Sequence, residues 1–82
     1  MSADVVLGEK IREKVIECRR SCGMKRRDVV AALQLYGFEL SYQAYKEIEL
    51  GIRKISAQEF LLLATILLID PTAILPERAI AG

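Results

Sequence analysis

Four polar side chains lie close together near the middle of the chain, at Tyr42, Gln43, Lys46 and Glu47. In a DNA major groove a glutamine can bond an adenine edge with two hydrogen bonds, and a glutamate can accept from cytosine. A tyrosine in this position can touch a phosphate or a thymine methyl, or pack over Leu40 instead. The pattern favours base contacts, with Gln43 as the leading candidate over an ordinary solvent-facing glutamine.

Basic residues flank this segment on both sides. Such cations, and the free amides at a helix start, attract DNA phosphates. Phosphate contacts hold the register and weaken with salt, but they carry no sequence information. The alternative is a solvated charged face. The predicted phosphate contacts are Lys25, Arg26, Arg27, Ser41, Arg53 and Lys54.

Two short helices joined by a turn would position these side chains. The first is predicted over 26–35 and is ended by Gly37. Ser41 is a good N-cap for the second, predicted over 42–50, and Gly51 closes it. The predicted inward side chains are Val29, Val30 and Leu33 in the first helix and Ala44, Tyr45 and Ile48 in the second.

Three further helices complete a predicted all-α, compact five-helix fold. Apolar residues recur at helical spacing over about 6–22. A capping box of Ser56 and Glu59 opens a helix over about 56–68. The Asp-Pro pair before 71–75 suggests an N-cap and first turn of a last short helix.

Length and charge are consistent with one small domain. The 82 residues are 52% apolar and have a net charge of only +1. We therefore expect a single domain over 1–82, with its core in 7–75 and a flexible tail at 76–82.

Residues 5–54 hold eleven Lys/Arg against seven Asp/Glu, whereas 57–82 hold one against three. A positive face on a near-neutral protein follows from this distribution.

Several functional classes are excluded at this stage. No signal peptide or membrane-spanning run is visible, and two cysteines fit a reducing cytoplasm. Cys18 and Cys22 lie one helical turn apart and are interpreted as core thiols, with a redox switch or half of a metal site as the alternative. The chain has no histidine, so we expect no metal site, no cofactor and no enzyme activity. No small-molecule ligand and no membrane partner are evident.

These segments together resemble the Cro and repressor type of helix-turn-helix domain, the lambda-repressor-like or XRE family. The resemblance covers about 7–75. It implies helix two and helix three as the helix-turn-helix, and a bacterial or phage-derived cytoplasmic protein associated with DNA. The motifs that carry it are IREKVIECRRSCGM, KRRDVVAAL, SYQAYKEIELGIRKIS and EFLLLATILLIDPTAIL.

The resemblance also implies an ion pair between Arg19 and Glu49, which would fix helix one to the recognition helix. Two features depart from the family pattern. The turn 35–40 is longer than usual, and we expect Phe38 and Leu40 to pack beneath the recognition helix. Leu68 stands where the family often has Gly or Asn, so helix four either continues or turns there in a strained conformation.

The apolar excess of helix four favours a homodimer interface, since exposed apolar area of this kind is seldom unused. The alternative is that Leu7 and Ile80 of the termini cover it. The predicted interface residues are Leu62, Ile66, Ile69, Ala73 and Ile74.

The leading hypothesis is a sequence-specific, dimeric repressor that binds double-stranded DNA with helix 42–50. The alternative is a helical protein–protein interaction module, antitoxin-like or regulator-binding, that retains the fold.

Overall fold

The computed structural model describes residues 3–70 and residue 72. Its helices are α1 (Ala3–Ser21), α2 (Arg26–Leu35), α3 (Tyr42–Glu49) and α4 (Ala57–Leu67). The described part of the chain contains no strand, and the predicted all-α class is confirmed. The predicted count of five helices is wrong, because these residues form four.

The predicted fifth helix, 71–75, falls at the end of the described chain. Thr72 lies in a 3₁₀ turn. The Asp70 carboxylate accepts hydrogen bonds from the Thr72 amide at 2.9 Å and from the Thr72 hydroxyl at 2.7 Å. These two bonds form a local Asx-type turn, and the described residues contain no α-helix after Leu67. Residues 71 and 73–75, and the predicted tail 76–82, lie outside the described residues.

Each of the four helices contributes to one core. Both α1 and α2 pack against α3 and α4. The fully buried large side chains include Val15, Leu33, Tyr45 and Leu63, one from each helix. Burying a side chain of this size contributes roughly 1.5–3 kcal/mol.

α2 and α3 both end at a glycine with a left-handed backbone. Gly37 has φ 76°, and its amide and that of Phe38 return to carbonyls in the last turn of α2 at 2.9 and 3.0 Å. Gly51 has φ 78° and caps α3 in the same way. Glycine adopts this region without the steric cost that a Cβ brings. The ends of the two-helix unit are therefore set by local sequence.

The turn between α2 and α3 is anchored to the core. Leu40 is buried, and Phe38 packs against the core while partly exposed. Leu35 and Tyr36 instead point outward, with 90% and 57% of their surface exposed. The long turn thus begins at the surface and returns to the core immediately before α3.

α4 begins at the predicted capping box. The Ser56 hydroxyl oxygen accepts from the Glu59 amide at 3.1 Å, and the Glu59 carboxylate accepts from the Ser56 amide at 2.8 Å. At the other end Leu68 has φ 58° and ψ 40°, so the strained turn is the alternative that the structure adopts. A left-handed conformation costs a residue with a Cβ roughly 1–2 kcal/mol.

Replacing Leu68 with glycine is expected to stabilise the isolated chain by about 1 kcal/mol, because the Cβ strain is removed. Little burial is lost, since Leu68 is 84% exposed. Urea unfolding followed by circular dichroism measures the change. Leu61→Gly is the matched control, because Leu61 is 59% exposed but lies within α4, where glycine costs about 1 kcal/mol. Equal destabilisation by both substitutions would contradict the left-handed turn.

Candidate nucleic-acid interface

α3 begins at Ser41, which was predicted as a phosphate contact. Its hydroxyl oxygen accepts a hydrogen bond from the Ala44 amide at 3.0 Å, which makes it the N-cap. Ser41 is exposed, and its O–H can still donate to another acceptor.

The predicted base-contact residues lie on α3 but differ in exposure. Tyr42 and Gln43 are exposed at its first turn, whereas Lys46 and Glu47 are partly buried. The N-terminal residues of a recognition helix are those that reach base edges in helix-turn-helix complexes. The first turn of α3 is therefore the part best placed for base contacts.

Glu49 lies in the last turn of α3 and forms a bidentate ion pair with Arg19 of α1. Arg19 Nε donates to Glu49 Oε2 at 2.6 Å, and Nη2 donates to Oε1 at 3.0 Å. Arg19 Nη1 also donates to the Met24 carbonyl at 3.0 Å. The structure thus brings together the two residues that the resemblance paired, and both are buried, with 9% and 4% exposure.

A second arginine shares this carboxylate. Arg26 Nε, at the start of α2, donates to Glu49 Oε1 at 2.9 Å. Sequence reasoning predicted Arg26 only as a phosphate contact and missed this bond, because the two residues are 23 positions apart. The one available signal was that a carboxylate has about four acceptor sites, of which one bidentate guanidinium fills two.

The two arginines set the ionisation of Glu49. Burial alone would raise the pKa of Glu49, but the groups around the carboxylate, Arg19 first, outweigh burial and hold that pKa below its ordinary value. The bonds to Glu49 also raise the pKa of both arginines. Glu49 is therefore ionised in the folded protein at neutral pH.

Tyr45 lies beside this ion-pair cluster and is fully buried. Burial, and then the neighbouring Glu49 carboxylate, raise the pKa of the Tyr45 hydroxyl. Among the described residues this hydroxyl has no hydrogen-bond partner. Tyr45 is therefore a neutral core residue that contributes packing.

An open cleft of about 680 Å³ lies where α1, α2 and α3 approach one another. Its lining residues are Arg19, Met24, Lys25, Arg26, Arg27 and Tyr42. Lys25 and Arg27 are exposed. Tyr42, which was predicted as a base contact, lines the cleft beside three of the predicted phosphate contacts.

Arg53 was also predicted as a phosphate contact, but it forms an ion pair within the chain. Its Nη2 lies 3.2 Å from Oε2 of the buried Glu59. Arg53 thus links the segment after α3 to the start of α4, while Lys54 beside it is exposed. Sequence reasoning missed the pair because Glu59 already had a local role in the capping box.

The predicted dimer residues that the structure describes differ in burial. Ile69 is buried in the core at 5% exposure, and its assignment to an interface is wrong. Leu62 and Ile66 are partly buried against the core, and Ala73 and Ile74 lie outside the described residues. The helical spacing that placed Ile69 beside Leu62 and Ile66 does not extend through a left-handed turn.

Two leucines that the sequence interpretation did not select are exposed in the same region. Leu61 is 59% exposed and Leu68 is 84% exposed. Leu61 lies in the second turn of α4, and Leu68 is the left-handed residue that ends this helix. In the sequence, only the helical spacing of α4 could have indicated that Leu61 is exposed.

The two cysteines differ in their surroundings. Cys18 is partly buried against the core, whereas Cys22 is exposed. The interpretation as two core thiols is therefore wrong for Cys22. Within residues 3–70 and 72, no three potential metal ligands among His, Cys, Asp and Glu come together.

Comparison with protein-family models, curated proteins and solved structures finds no match for this chain. The resemblance to Cro and repressor-type domains stays a prediction from the quoted motifs.

Across the described part of the chain, every helix is too short or too polar to cross a membrane.

Glu49→Gln is expected to destabilise the fold by roughly 3–5 kcal/mol at neutral pH, because buried Arg19 loses its charged partner. The advantage of the wild-type residue should depend on pH. The folded pKa of Glu49 lies below the ordinary 4.5, so its stabilisation is complete above that value and lost as pH falls through the folded pKa.

Urea unfolding from neutral to acidic pH measures this dependence. Glu39→Gln replaces a carboxylate by an amide at an exposed position in the turn before α3, and it controls for the loss of one negative charge. If Glu49→Gln and wild type lost stability in parallel on acidification, the ionised Glu49 would not be the source of the stabilisation.

Proposed function

We propose that this protein is a sequence-specific, DNA-binding transcriptional regulator, a repressor that binds as a dimer and contacts the major groove with α3. The observation that carries the proposal is the cationic cleft beside the first turn of α3. That arrangement supports phosphate contacts and base contacts by one docked helix. The partner is double-stranded DNA.

The proposed contacts divide by exposure and chemistry. Gln43 is exposed and suits an adenine edge. Lys46 and Glu47, which are partly buried, are assigned as base contacts at the edge of the interface. Among the cations, Lys25, Arg27 and Lys54 are exposed and suit phosphate contacts.

A footprint on the DNA upstream of the protein's own gene, compared with random DNA, tests the proposal. We expect protection of two half-sites about 34–36 Å apart, one for each α3 of a dimer. Uniform, salt-sensitive binding without a footprint would leave only non-specific DNA binding. No binding at low salt would overturn the proposal.

A helical protein–protein interaction module is the second candidate. The observation that favours it is the exposure of Leu50 and Ile52, at 52% and 70%, where α3 ends. Apolar side chains at this position suit a protein partner better than a phosphate backbone. This function would be favoured if Leu50→Lys abolished binding to a partner protein while DNA binding was absent.

Gln43→Ala is expected to weaken binding to the specific site by roughly 1–3 kcal/mol, because two hydrogen bonds to a base are lost. Binding to random DNA should change little. Competition gel shifts measure both affinities. Gln58→Ala, at an exposed glutamine of α4, is the matched control and should alter neither. Equal losses on both DNAs after Gln43→Ala would exclude a base contact.

The proposed dimer interface lies on the outer side of α4, around Leu61 and Leu68. Both are exposed leucines, and their partly buried neighbours Leu62 and Ile66 extend the apolar surface. A symmetric dimer would place this surface against its own copy.

Leu61→Glu is expected to produce monomers and to reduce operator affinity at least about tenfold, since an unpaired charge would be buried at the interface. Sedimentation measures the assembly state, and circular dichroism checks that the chain stays helical. Leu35→Glu adds the same charge at an exposed leucine of α2 and should leave the dimer intact. An unchanged dimer after Leu61→Glu would place the interface elsewhere.

A further inference from the structure

Arg26 uses one edge of its guanidinium within the fold. Its Nε donates to Glu49 Oε1 at 2.9 Å, which leaves the N–H bonds of the two terminal nitrogens for other acceptors. The side chain is 29% exposed and lines the cationic cleft. Arg26 is therefore attached to the core on one side and accessible on the other.

Arg19 differs from Arg26, although both bind the same carboxylate. Its three nitrogens donate to Glu49 and to the Met24 carbonyl, and only 11% of its side chain is exposed. Of the two arginines on Glu49, Arg26 is the one with an accessible edge.

We propose that Glu49 is a positioning residue for phosphate binding: it holds the Nε edge of Arg26 and so presents the terminal guanidinium nitrogens to a DNA phosphate in the cleft. The inference rests on the DNA-binding function proposed above. It assigns a role in binding to a residue that is itself buried and negatively charged.

The physical basis is preorganisation. An arginine has a long side chain with high rotamer entropy, and a side chain fixed before binding loses less entropy when it binds. A guanidinium with a fixed plane can also form two parallel hydrogen bonds to a phosphate. If Glu49 positions Arg26, removing the Glu49 carboxylate weakens binding to DNA. Simple electrostatics predicts the opposite, because removing a negative charge near the cleft would strengthen binding to DNA. The sign of the change therefore separates the two mechanisms.

A double-mutant cycle between Arg26 and Glu49 tests the inference. The readout is the affinity for a short random-sequence duplex, measured by fluorescence anisotropy over a range of NaCl concentrations. Arg26→Ala should reduce the salt slope by about one unit. Glu49→Gln should weaken binding at least about twofold in the wild-type background, and have no further effect after Arg26→Ala.

Arg27→Ala provides the matched background. Arg27 is an exposed cation next to Arg26 and lines the same cleft. Its removal should also reduce the salt slope by about one unit. The loss caused by Glu49→Gln should persist in this background, because Arg26 is still present.

Three further measurements separate positioning from loss of the fold. Glu49→Asp keeps the charge but shortens the side chain. Like Glu49→Gln, it should weaken DNA binding in the wild-type background and have no further effect after Arg26→Ala. Circular dichroism identifies the temperature at which all variants are helical. In the protein without DNA, ¹⁵N NMR should show a slowly exchanging Arg26 Nε–H in wild type that becomes fast in Glu49→Gln.

Equal losses after Glu49→Gln in all three backgrounds, or stronger binding after it, would overturn the positioning role while leaving the proposed function intact. Failure of the wild-type protein to bind any duplex at low salt would overturn the proposed function and this inference with it.

Discussion

The Glu49 carboxylate is the contact on which the arrangement of the helices depends. It is buried at the end of α3 and accepts hydrogen bonds from Arg19 of α1 and Arg26 of α2. A buried carboxylate without cations would carry a penalty of several kcal/mol, so three helices must meet where both arginines reach it. Apolar burial is non-directional and brings the helices together, whereas this cluster determines which of their ends meet.

This constraint matters most for α3, because a short helix is oriented by its ends. Its eight residues rise only about 12 Å. Glu49 fixes the last turn, while the Ser41 cap and the buried Leu40 fix the first. The exposed Gln43 is then held in a constant position relative to the cations at the start of α2. A docking surface assembled from two helices requires this kind of fixed relation.

The sequence was a good guide wherever the signal is local. The capping residues Ser41 and Ser56 and the terminating glycines act within a few positions, so the helix boundaries followed from them. Long-range pairing had no such signal: a cation near a predicted DNA surface suits a phosphate and a carboxylate equally well. Arg26 and Arg53 both belong to this class. Ile69 was misplaced for a related reason, since periodicity cannot predict where the backbone reverses hand.

Internal ion pairs limit the charge that remains for DNA. Arg19, Arg26 and Arg53 each pair with a buried carboxylate, and the net charge of the whole chain is +1. If the protein binds DNA as proposed, log affinity changes by about 0.9 per neutralised phosphate for each unit of log salt, so internal pairing of these arginines reduces the electrostatic contribution of one copy. Two copies double the number of phosphate contacts without adding a charge to the sequence. In the proposed dimer, the low charge and the exposed Leu61 and Leu68 would act together, because pairing through an apolar surface adds a second set of phosphate contacts.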